Sequence, residues 1–344
     1  MSPGGFHPTG PARTPPATSW SSAIRWSSVE AMEAALGSAG LPLQLLQLDG
    51  GQLHGDAVAV GVGPLRLLRL RLDRRMHSWG PKPAGMLTLS LDLEPQAGDG
   101  TLLAHGQILP RDAIFGLDCQ REVHVTVNHA GITMGVVMIP IEQLAVWVAE
   151  LGGGELDPAS LRLNWLRLDP RSCEGLRGYL RQVFNLAEHQ PARLASPSCQ
   201  RQLLEDFLPL MLEALVVAAN PAGRQQKPPA RFEIVRAAQG WLHAHPDHPI
   251  TLADLCRQAH AGRRSLIQGF REQLGMGPMA YLKVCRLHAV RRLLLAAEPE
   301  RLRIGPLAAE WGFLNAGHFA RDYRLLFGEK PSETLRRPNR GVSL

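Results

Sequence analysis

Apolar residues in the last third of the chain recur at helical spacing, and the same arrangement occurs twice. Each copy has an apolar helix, a tight turn and a second helix with apolar side chains every three or four positions. The matching residues are Leu255 and Leu307, Leu266 and Phe319, Phe270 and Tyr323, Arg271 and Arg324, Gly275 and Gly328, and Pro278 and Pro331. The first pair is offset by 52 residues and the others by 53. Each copy is therefore predicted to form a helix-turn-helix, with one extra residue in the second turn.

Stop and start signals fall at equivalent places in the two copies. Gly275 and Gly328 are expected to end the second helix of each copy, because glycine enters the left-handed region at little cost. Pro278 and Pro331 follow, and proline is well suited to the first turn of a helix. The helix that begins at Pro278 is predicted to reach residue 297, and about 20 residues span about 30 Å. That length is close to the roughly 34 Å between major-groove segments one turn apart.

The polar residues on the second helix of each copy are of the types that bind nucleic acid. Arg and Gln form paired hydrogen bonds with purine edges, Ile contacts a thymine methyl, and Arg neutralises phosphate. The predicted DNA-binding residues are Arg263, Arg264, Ser265, Ile267, Gln268 and Arg271 in the first copy, and Asn315, Ala316, Gly317, His318, Arg321 and Arg324 in the second. The alternative is that these are ordinary solvated side chains. Their shared placement on duplicated helices favours DNA binding.

The two predicted recognition helices differ in chemistry. The first begins with Arg263 and Arg264, whereas the second begins with small residues that permit close approach to a backbone but discriminate little between bases. We therefore expect the first unit to dominate base selection and the second mainly to anchor the protein.

Residues 231–338 resemble the DNA-binding domain of the AraC/XylS family of transcription regulators. The motifs that carry the resemblance are ITLADLCRQA, RRSLIQGFREQLGMGPMAYLKVCRLHAVRRLLL and IGPLAAEWGFLNAGHFARDYRLLFGEKPSETLRR. Within the family the segment is similar to regulators that resemble the ethanolamine-operon activator. The resemblance implies two helix-turn-helix units joined by a long helix and bound to successive major grooves on one face of the duplex. It also implies an amino-terminal sensing or dimerising β domain, and an activator more often than a repressor.

Several residues depart from the family pattern. His260 and Gly262 occupy positions in the first turn where relatives usually carry Gly and a capping Ser, and Gly269 lies inside the first recognition helix. Histidine tolerates a positive φ better than most residues, but glycine provides no capping oxygen and costs about 1 kcal/mol relative to Ala inside a helix. The first unit is therefore expected to be the less rigid one. Thr334 replaces an aromatic residue common in relatives, which leaves the packing of the last helix open.

Basic charge is confined to the predicted DNA-binding region. The whole chain has 37 Lys and Arg against 31 Asp and Glu, for a net charge of +6. Residues 231–344 hold 18 basic and 10 acidic side chains, net +8, which leaves 19 basic and 21 acidic elsewhere, net −2. This asymmetry predicts a phosphate-binding module attached to a domain with another task, and salt-dependent binding.

The region from about residue 40 to 140 has a different pattern, with short runs of alternating apolar residues separated by Gly, Pro, Asp or Asn. The fold class is therefore α+β: an amino-terminal β-barrel or sandwich-like domain with following helices, then an all-α domain of two helix-turn-helix units joined by a long helix. The expected organisation is a disordered segment (1–17), a β-rich sensing or regulatory domain (18–140), a helical extension that is a candidate for dimerisation (141–220), a linker (221–230), the DNA-binding domain (231–338) and a tail (339–344).

The β-rich region contains no motif that identifies a ligand. A small-molecule pocket inside it is plausible on general grounds. His54, His77, Trp79, His105 and His124 lie in or near predicted strands and are interpreted as packing or hydrogen-bonded residues. A metal-dependent enzyme domain is one alternative, but His124 and His129 are five residues apart and would face opposite sides of a strand. The other alternative is a nonspecific architectural DNA binder, for which two base-selecting helices would be superfluous.

The five cysteines are scattered without a CxxC spacing, and no apolar run is long enough for a membrane span. The sequence thus predicts a soluble, cytoplasmic, non-enzymatic regulator with no cofactor, no metal and no membrane partner. Its expected partners are double-stranded DNA at promoter or operator sites, a small-molecule effector, a second copy of the chain in a homodimer, and RNA polymerase.

Overall fold

The computed structural model describes residues 20–95, 101–150, 162–219 and 229–337. The predicted disordered segment at 1–17 and the tail at 339–344 lie outside these ranges, as do residues 221–228 of the predicted linker.

Two antiparallel sheets form the amino-terminal half. The seven-stranded sheet has the order β1-β3-β4-β11-β6-β9-β12, and the five-stranded sheet has the order β2-β5-β10-β7-β8. The strands are β1 (Trp20–Trp26), β2 (Gln44–Gln47), β3 (Gly55–Val62), β4 (Leu65–Leu72), β5 (Met76–Gly80), β6 (Met86–Asp92), β7 (Leu102–Ala104), β8 (Gln107–Ile108), β9 (Ala113–Phe115), β10 (Val123–Val127), β11 (Ile132–Pro140) and β12 (Trp165–Arg167). The sequence left a barrel and a sandwich open, and the structure is a sandwich of two sheets.

Side-chain alternation divides the seven-stranded sheet into two buried faces. Leu65 and Leu67 of β4 pack toward helices on the outside, whereas Leu68 and Leu70 pack in the cluster between the two sheets. Both faces are apolar because both are covered. This accounts for the leucines on both faces of β4.

Four helices follow β11 in the described part of the amino-terminal region: α2 (Ile141–Glu150), α3 (Pro170–His189), α4 (Pro191–Leu194) and α5 (Pro197–Ala219). Leu203 and Phe207 of α5 pack in the cluster on the outer face of the sheet, so the apolar stripe on α5 covers its own domain. The predicted helical extension at 141–220 needs one correction, because β12 lies within it and pairs with β9. Pro140 is the last residue of β11 and does not lie in α2.

A helix that the sequence analysis did not predict, α1 (Val29–Ser38), follows the first strand. Ser28 caps it by accepting a hydrogen bond from the Ala31 amide at 3.2 Å. Met32 and Leu36 are buried in the cluster between the sheets.

In the carboxy-terminal third, residues 229–337 form helices joined by turns and no strand. Its elements are α6 (Ala230–Ala244), α7 (Leu252–Gln258), α8 (Arg263–Leu274), α9 (Pro278–Ala296), α10 (Ile304–Glu310), α11 (Ala316–Phe327) and α12 (Pro331–Leu335). Gly275 (φ 68°) and Gly328 (φ 74°) end α8 and α11 in the left-handed region, and Pro278 and Pro331 begin α9 and α12. These stop and start signals, predicted from the repeat, are confirmed.

The five-stranded sheet packs directly on the first helix-turn-helix unit. Leu46 and Leu48 share a buried cluster with Val235 of α6, Phe270 of α8 and Tyr281 of α9. A separate cluster fills the second unit, with Leu307 of α10 and Phe319 and Tyr323 of α11 at its centre. The β domain and the first unit therefore share one apolar core.

Candidate nucleic-acid interface

Helix α8 presents a polar face to solvent and an apolar face to α6 and α9. Leu266 and Phe270 are fully buried, whereas Arg263, Arg264, Gln268 and Arg271 are exposed, and Ser265 and Ile267 are half-buried. Within the described part of the chain, Arg263, Arg264 and Arg271 pair with no carboxylate. Gln268 donates to Glu272 Oε1 at 3.0 Å. Three unpaired guanidinium groups along one helix face suit an anionic partner.

Helix α11 repeats this arrangement with a smaller, less charged start. Its predicted DNA-binding residues, Asn315, Ala316, Gly317, His318, Arg321 and Arg324, are all exposed. Asn315 is the N-cap, and its Oδ1 accepts a hydrogen bond from the His318 backbone amide at 2.9 Å. This oxygen is therefore occupied in capping the helix. Arg321 approaches Asp322 at 3.6 Å.

The first turn has the conformation expected from its unusual residues. His260 has φ 47°, one of two non-glycine residues with positive φ in the described ranges. Gly262 is the N-cap of α8 and makes no side-chain capping bond.

Gly269 has a packing role that sequence reasoning missed. It is buried in α8, and a Cβ at this position would lie 2.8 Å from Cγ2 of Val235 on α6. The glycine therefore permits the close approach of α6 and α8. The expectation that it only weakens the first unit was incomplete, because it also allows that packing.

Thr334 joins a buried polar network beneath α11. It is fully buried, and Tyr323 donates to its hydroxyl at 2.8 Å. The Arg291 guanidinium is near the same hydroxyl, forms an ion pair with Glu329 and lies 4.7 Å from the centre of the Phe327 ring. A small hydroxyl residue thus fits where an aromatic ring would displace the network.

A shallow groove along α11 adds residues to the candidate interface. It is lined by Ala320, Arg321, Arg324, Leu325, Gly328 and Lys330. Lys330 is exposed and was not predicted, although its position two residues after the terminal glycine of α11 was a usable signal. Leu314, in the turn before α11, is 91% exposed.

A separate cavity of about 80 Å³ lies between the two sheets. Met32, Leu70 and Phe115 contribute to its apolar wall. Its polar lining residues are Ser78, Lys82, Thr88, Ser90, His105, His124 and Asn164. Lys82 Nζ donates to the carbonyl oxygens of Gly116 and Asp118 at 2.7 and 2.6 Å. Burial lowers the pKa of Lys82 to about 8.

Histidines predicted to be packing residues lie where the β domain meets α6. His124 Nε2 lies 3.2 Å from Gln239 Oε1, and His77 Nε2 lies 3.2 Å from Gln239 Nε2. Gln239 Nε2 must donate to His77, so His77 is neutral and accepts at Nε2. Trp79 stacks on His243 at 4.5 Å, and His54 is exposed beside Asp73.

The described ranges contain no group of three or more His, Cys, Asp or Glu side chains placed to hold a metal ion. None of their helices combines the length and hydropathy required to cross a membrane.

Comparison with known proteins agrees with the helix-turn-helix geometry. A family model described as a helix-turn-helix domain matches residues 255–337. The chain is 40% identical over 208 residues to the "Probable thc operon regulatory protein" of Rhodococcus erythropolis, a match that covers 57% of each chain. It is 35% identical over 94 residues to the XylDLEGF operon transcriptional activator of Pseudomonas putida, which covers 27% of this chain and 29% of the relative.

The carboxy-terminal domain is an AraC/XylS-type helix-turn-helix domain. A solved structure titled a "probable AraC family transcriptional regulator", from Rhodopseudomonas palustris, is 38% identical. The match covers 31% of this chain and 98% of that chain, with a TM-score of 0.29. This chain thus spans little more than half the length of the Rhodococcus relative and less of the Pseudomonas relative.

Proposed function

We propose that the protein is a cytoplasmic, sequence-specific transcription regulator that inserts α8 and α11 into successive major grooves. The observation that carries the proposal is the exposed polar face repeated on two helices, with unpaired Arg263, Arg264 and Arg271 on α8. Helix α9 joins the two units and spans 19 residues, hence about 28 Å. This length suits two helices that contact one face of a duplex.

Several further parts of the proposal rest on the AraC/XylS-type domain. Activation is proposed because a relative is named a transcriptional activator. Contact with RNA polymerase and a homodimer are proposed together with it. The protein acts by binding and not by catalysis. An architectural binder would need only positive charge, so competition by bulk DNA distinguishes the two functions: loss of binding to every site alike would favour the architectural one.

The two recognition helices are expected to respond differently to mutation. Arg264→Ala should relax sequence preference, because a lost base contact costs about 1–3 kcal/mol at the cognate sequence only. Arg321→Ala should weaken binding to cognate and random duplexes alike and lower the salt slope by about 1. Titrations of both duplex types over a range of salt concentrations measure these effects.

Arg301→Ala is the matched control, because Arg301 is exposed on the loop between α9 and α10 and pairs with Glu298. It should leave both properties unchanged. The reverse pattern, with Arg321 setting preference and Arg264 acting uniformly, would sink the assignment of roles.

The β domain is proposed to sense a small, largely apolar effector that carries an anionic group. The cavity between the sheets has an apolar wall and the ammonium group of the half-buried Lys82, which forms no ion pair within the described residues. Two of its three N–H groups are used by carbonyl oxygens, so one donor remains for a ligand.

Matched probes test this part of the proposal. Hexanoate should raise the melting temperature of the full chain more than hexanol does, because only the acid gains a charge-assisted bond to Lys82. Lys82→Met should abolish the difference, whereas Lys283→Met on α9 should not. An equal response to the acid and the alcohol in the unmutated protein would rule out an anion-binding role for Lys82.

A further inference from the structure

The carboxyl ends of the two recognition helices contact neighbouring residues of the same β domain. Both helices end on a left-handed glycine, and the last turn of a helix carries carbonyl groups that have no partner within the helix. These carbonyls are available to donors from outside. In this protein the β domain provides such donors at both helix ends.

The end of α8 is held by Arg75 and Asn128. Arg75 Nη2 donates to the Leu274 carbonyl at 2.9 Å, and Asn128 Nδ2 donates to the Gln273 carbonyl at 3.2 Å. Arg75 Nη2 also contacts Asn128 Oδ1 at 3.1 Å, which joins the two donors. A guanidinium at a helix carboxyl end is favourable because the helix dipole is negative there.

The end of α11 is held by Gln47 and Gly51. The Gly51 amide donates to the Leu325 carbonyl at 2.8 Å, and Gln47 Nε2 donates to the Leu326 carbonyl at 3.0 Å. Gln47 is 1% exposed, and the carbonyls of Asp49 and Gly51 also lie 2.8 and 2.6 Å from its Nε2, so the two N–H groups are shared among three acceptors. One buried amide thus fixes the loop and the helix end together.

These two attachments belong to one rigid part of the β domain. Strands β2 and β5 pair with Gln47 opposite Met76, next to Arg75. The Leu48 amide donates to the Arg75 carbonyl at 2.9 Å, and the Arg75 amide donates to Asp49 Oδ1 at 2.9 Å. We call Gln47, Gly51, Arg75 and Asn128 the clamp.

We propose that the clamp sets the relative position of the two recognition helices, and so selects the spacing of the two DNA sequences that the protein binds together. The inference rests on the proposed function. Helix α9 links the two units, but long helices are rarely straight, so its length alone does not fix their relative orientation. The clamp adds a second connection that constrains this orientation. Gln47 and Arg75 are then positioning residues that determine specificity without contacting DNA.

The test uses duplexes enriched by the full chain from a random pool, then altered by adding or removing two base pairs between the two contacted sequences. Each such change rotates one contacted sequence by about 70° around the duplex axis. The unmutated protein should lose about tenfold or more in affinity, because both units no longer bind at once. Arg75→Met and Gln47→Leu should each weaken binding at the selected spacing about fivefold and flatten the spacing profile.

Two further duplexes and one variant separate positioning from simple loss of stability. Duplexes with one contacted sequence scrambled should bind the variants and the unmutated protein equally. A partly unfolded variant would instead lose apparent affinity for every duplex by the same factor and keep the shape of the profile. Arg71→Met, on exposed β4 surface outside the clamp, is the matched control and should keep both affinity and profile.

Two results would overturn the inference. One is an unchanged spacing profile in both folded clamp variants. The other is tighter binding by the variants, which would mean that the clamp holds the helices away from their DNA-bound positions. Failure of the proposed function would look different, because the unmutated protein would then enrich no sequence from the pool.

Discussion

Gly269 shows how one missing methyl group controls the packing of the first helix-turn-helix unit. Its helix propensity is poor, and from the sequence alone it predicts a loosened recognition helix. In the structure the neighbouring Val235 occupies the space that a Cβ would need. Propensity was therefore a valid but minor consideration, since the contact with α6 determines which residue fits.

Adding that methyl group should destabilise the protein. Gly269→Ala is expected to lower the free energy of unfolding by about 1–3 kcal/mol, because overpacking forces α6 and α8 apart. Gly240→Ala is the matched control in α6, where a Cβ would meet no atom within 4 Å. The control should instead stabilise the protein by about 0.5–1 kcal/mol. Urea unfolding of the two variants measures both effects, and equal signs would contradict this explanation.

At the scale of elements, the sequence predicted helices and strands where a repeat or an alternating pattern was strong. Both helix-turn-helix units, the long helix α9 and strands such as β4 and β11 are of this kind. Strand β1 was missed because it is an edge strand in which only Trp26 is buried, so alternation is absent. Strands β7 and β8, with three and two residues, are too short to show an alternation of apolar and polar residues.

Helix α1 was missed for another reason, since its contacts come from distant parts of the chain. Met32 and Leu36 face the cavity between the sheets, while Glu30 pairs with Arg291 at 3.2 Å and Glu33 with Arg292 at 2.8 Å on α9. A carboxylate that pairs with a residue 261 positions away carries no local signal. The same is true of the clamp, because its side chains, Gln47, Arg75 and Asn128, are polar residues at or next to strand ends and show no local pattern.

At the scale of the whole molecule, neutral histidines lie where the two domains meet. Burial lowers the pKa of His124 and of His243 to about 4, and that of His288 to about 3. Burial also lowers the pKa of His77 well below its ordinary value. His288 Nε2 lies 3.4 Å from the carbonyl oxygen of Gln47, so one of these buried histidines contacts the clamp.

Acid is therefore expected to weaken the folded protein. The unfolded chain binds protons near pH 6.5 while the folded chain keeps these rings neutral, so their contribution is complete above about pH 6.5 and is lost as the pH falls toward 4. For each of these histidines, lowering the pH from 7 to 5 should reduce the free energy of unfolding by about 2 kcal/mol.

Urea unfolding at several pH values measures this dependence. His124→Gln should reduce the slope of unfolding free energy against pH, because the glutamine side chain is not protonated in this pH range. His318→Gln, on the exposed face of α11, should leave the slope unchanged. A stability that stays constant between pH 7 and pH 5 would contradict the interpretation of the interface.

The shared core of the β domain and the first helix-turn-helix unit limits how freely the two domains of this protein can be exchanged with those of other proteins. Leu46 and Leu48 pack in the same cluster as Phe270 and Tyr281. A chimera that kept only the helical third would lose these two leucines and expose the apolar face that they cover. A graft that carried β2 and β5 along would keep that face covered. For engineering and for evolution alike, the unit of exchange is larger than the helix-turn-helix domain.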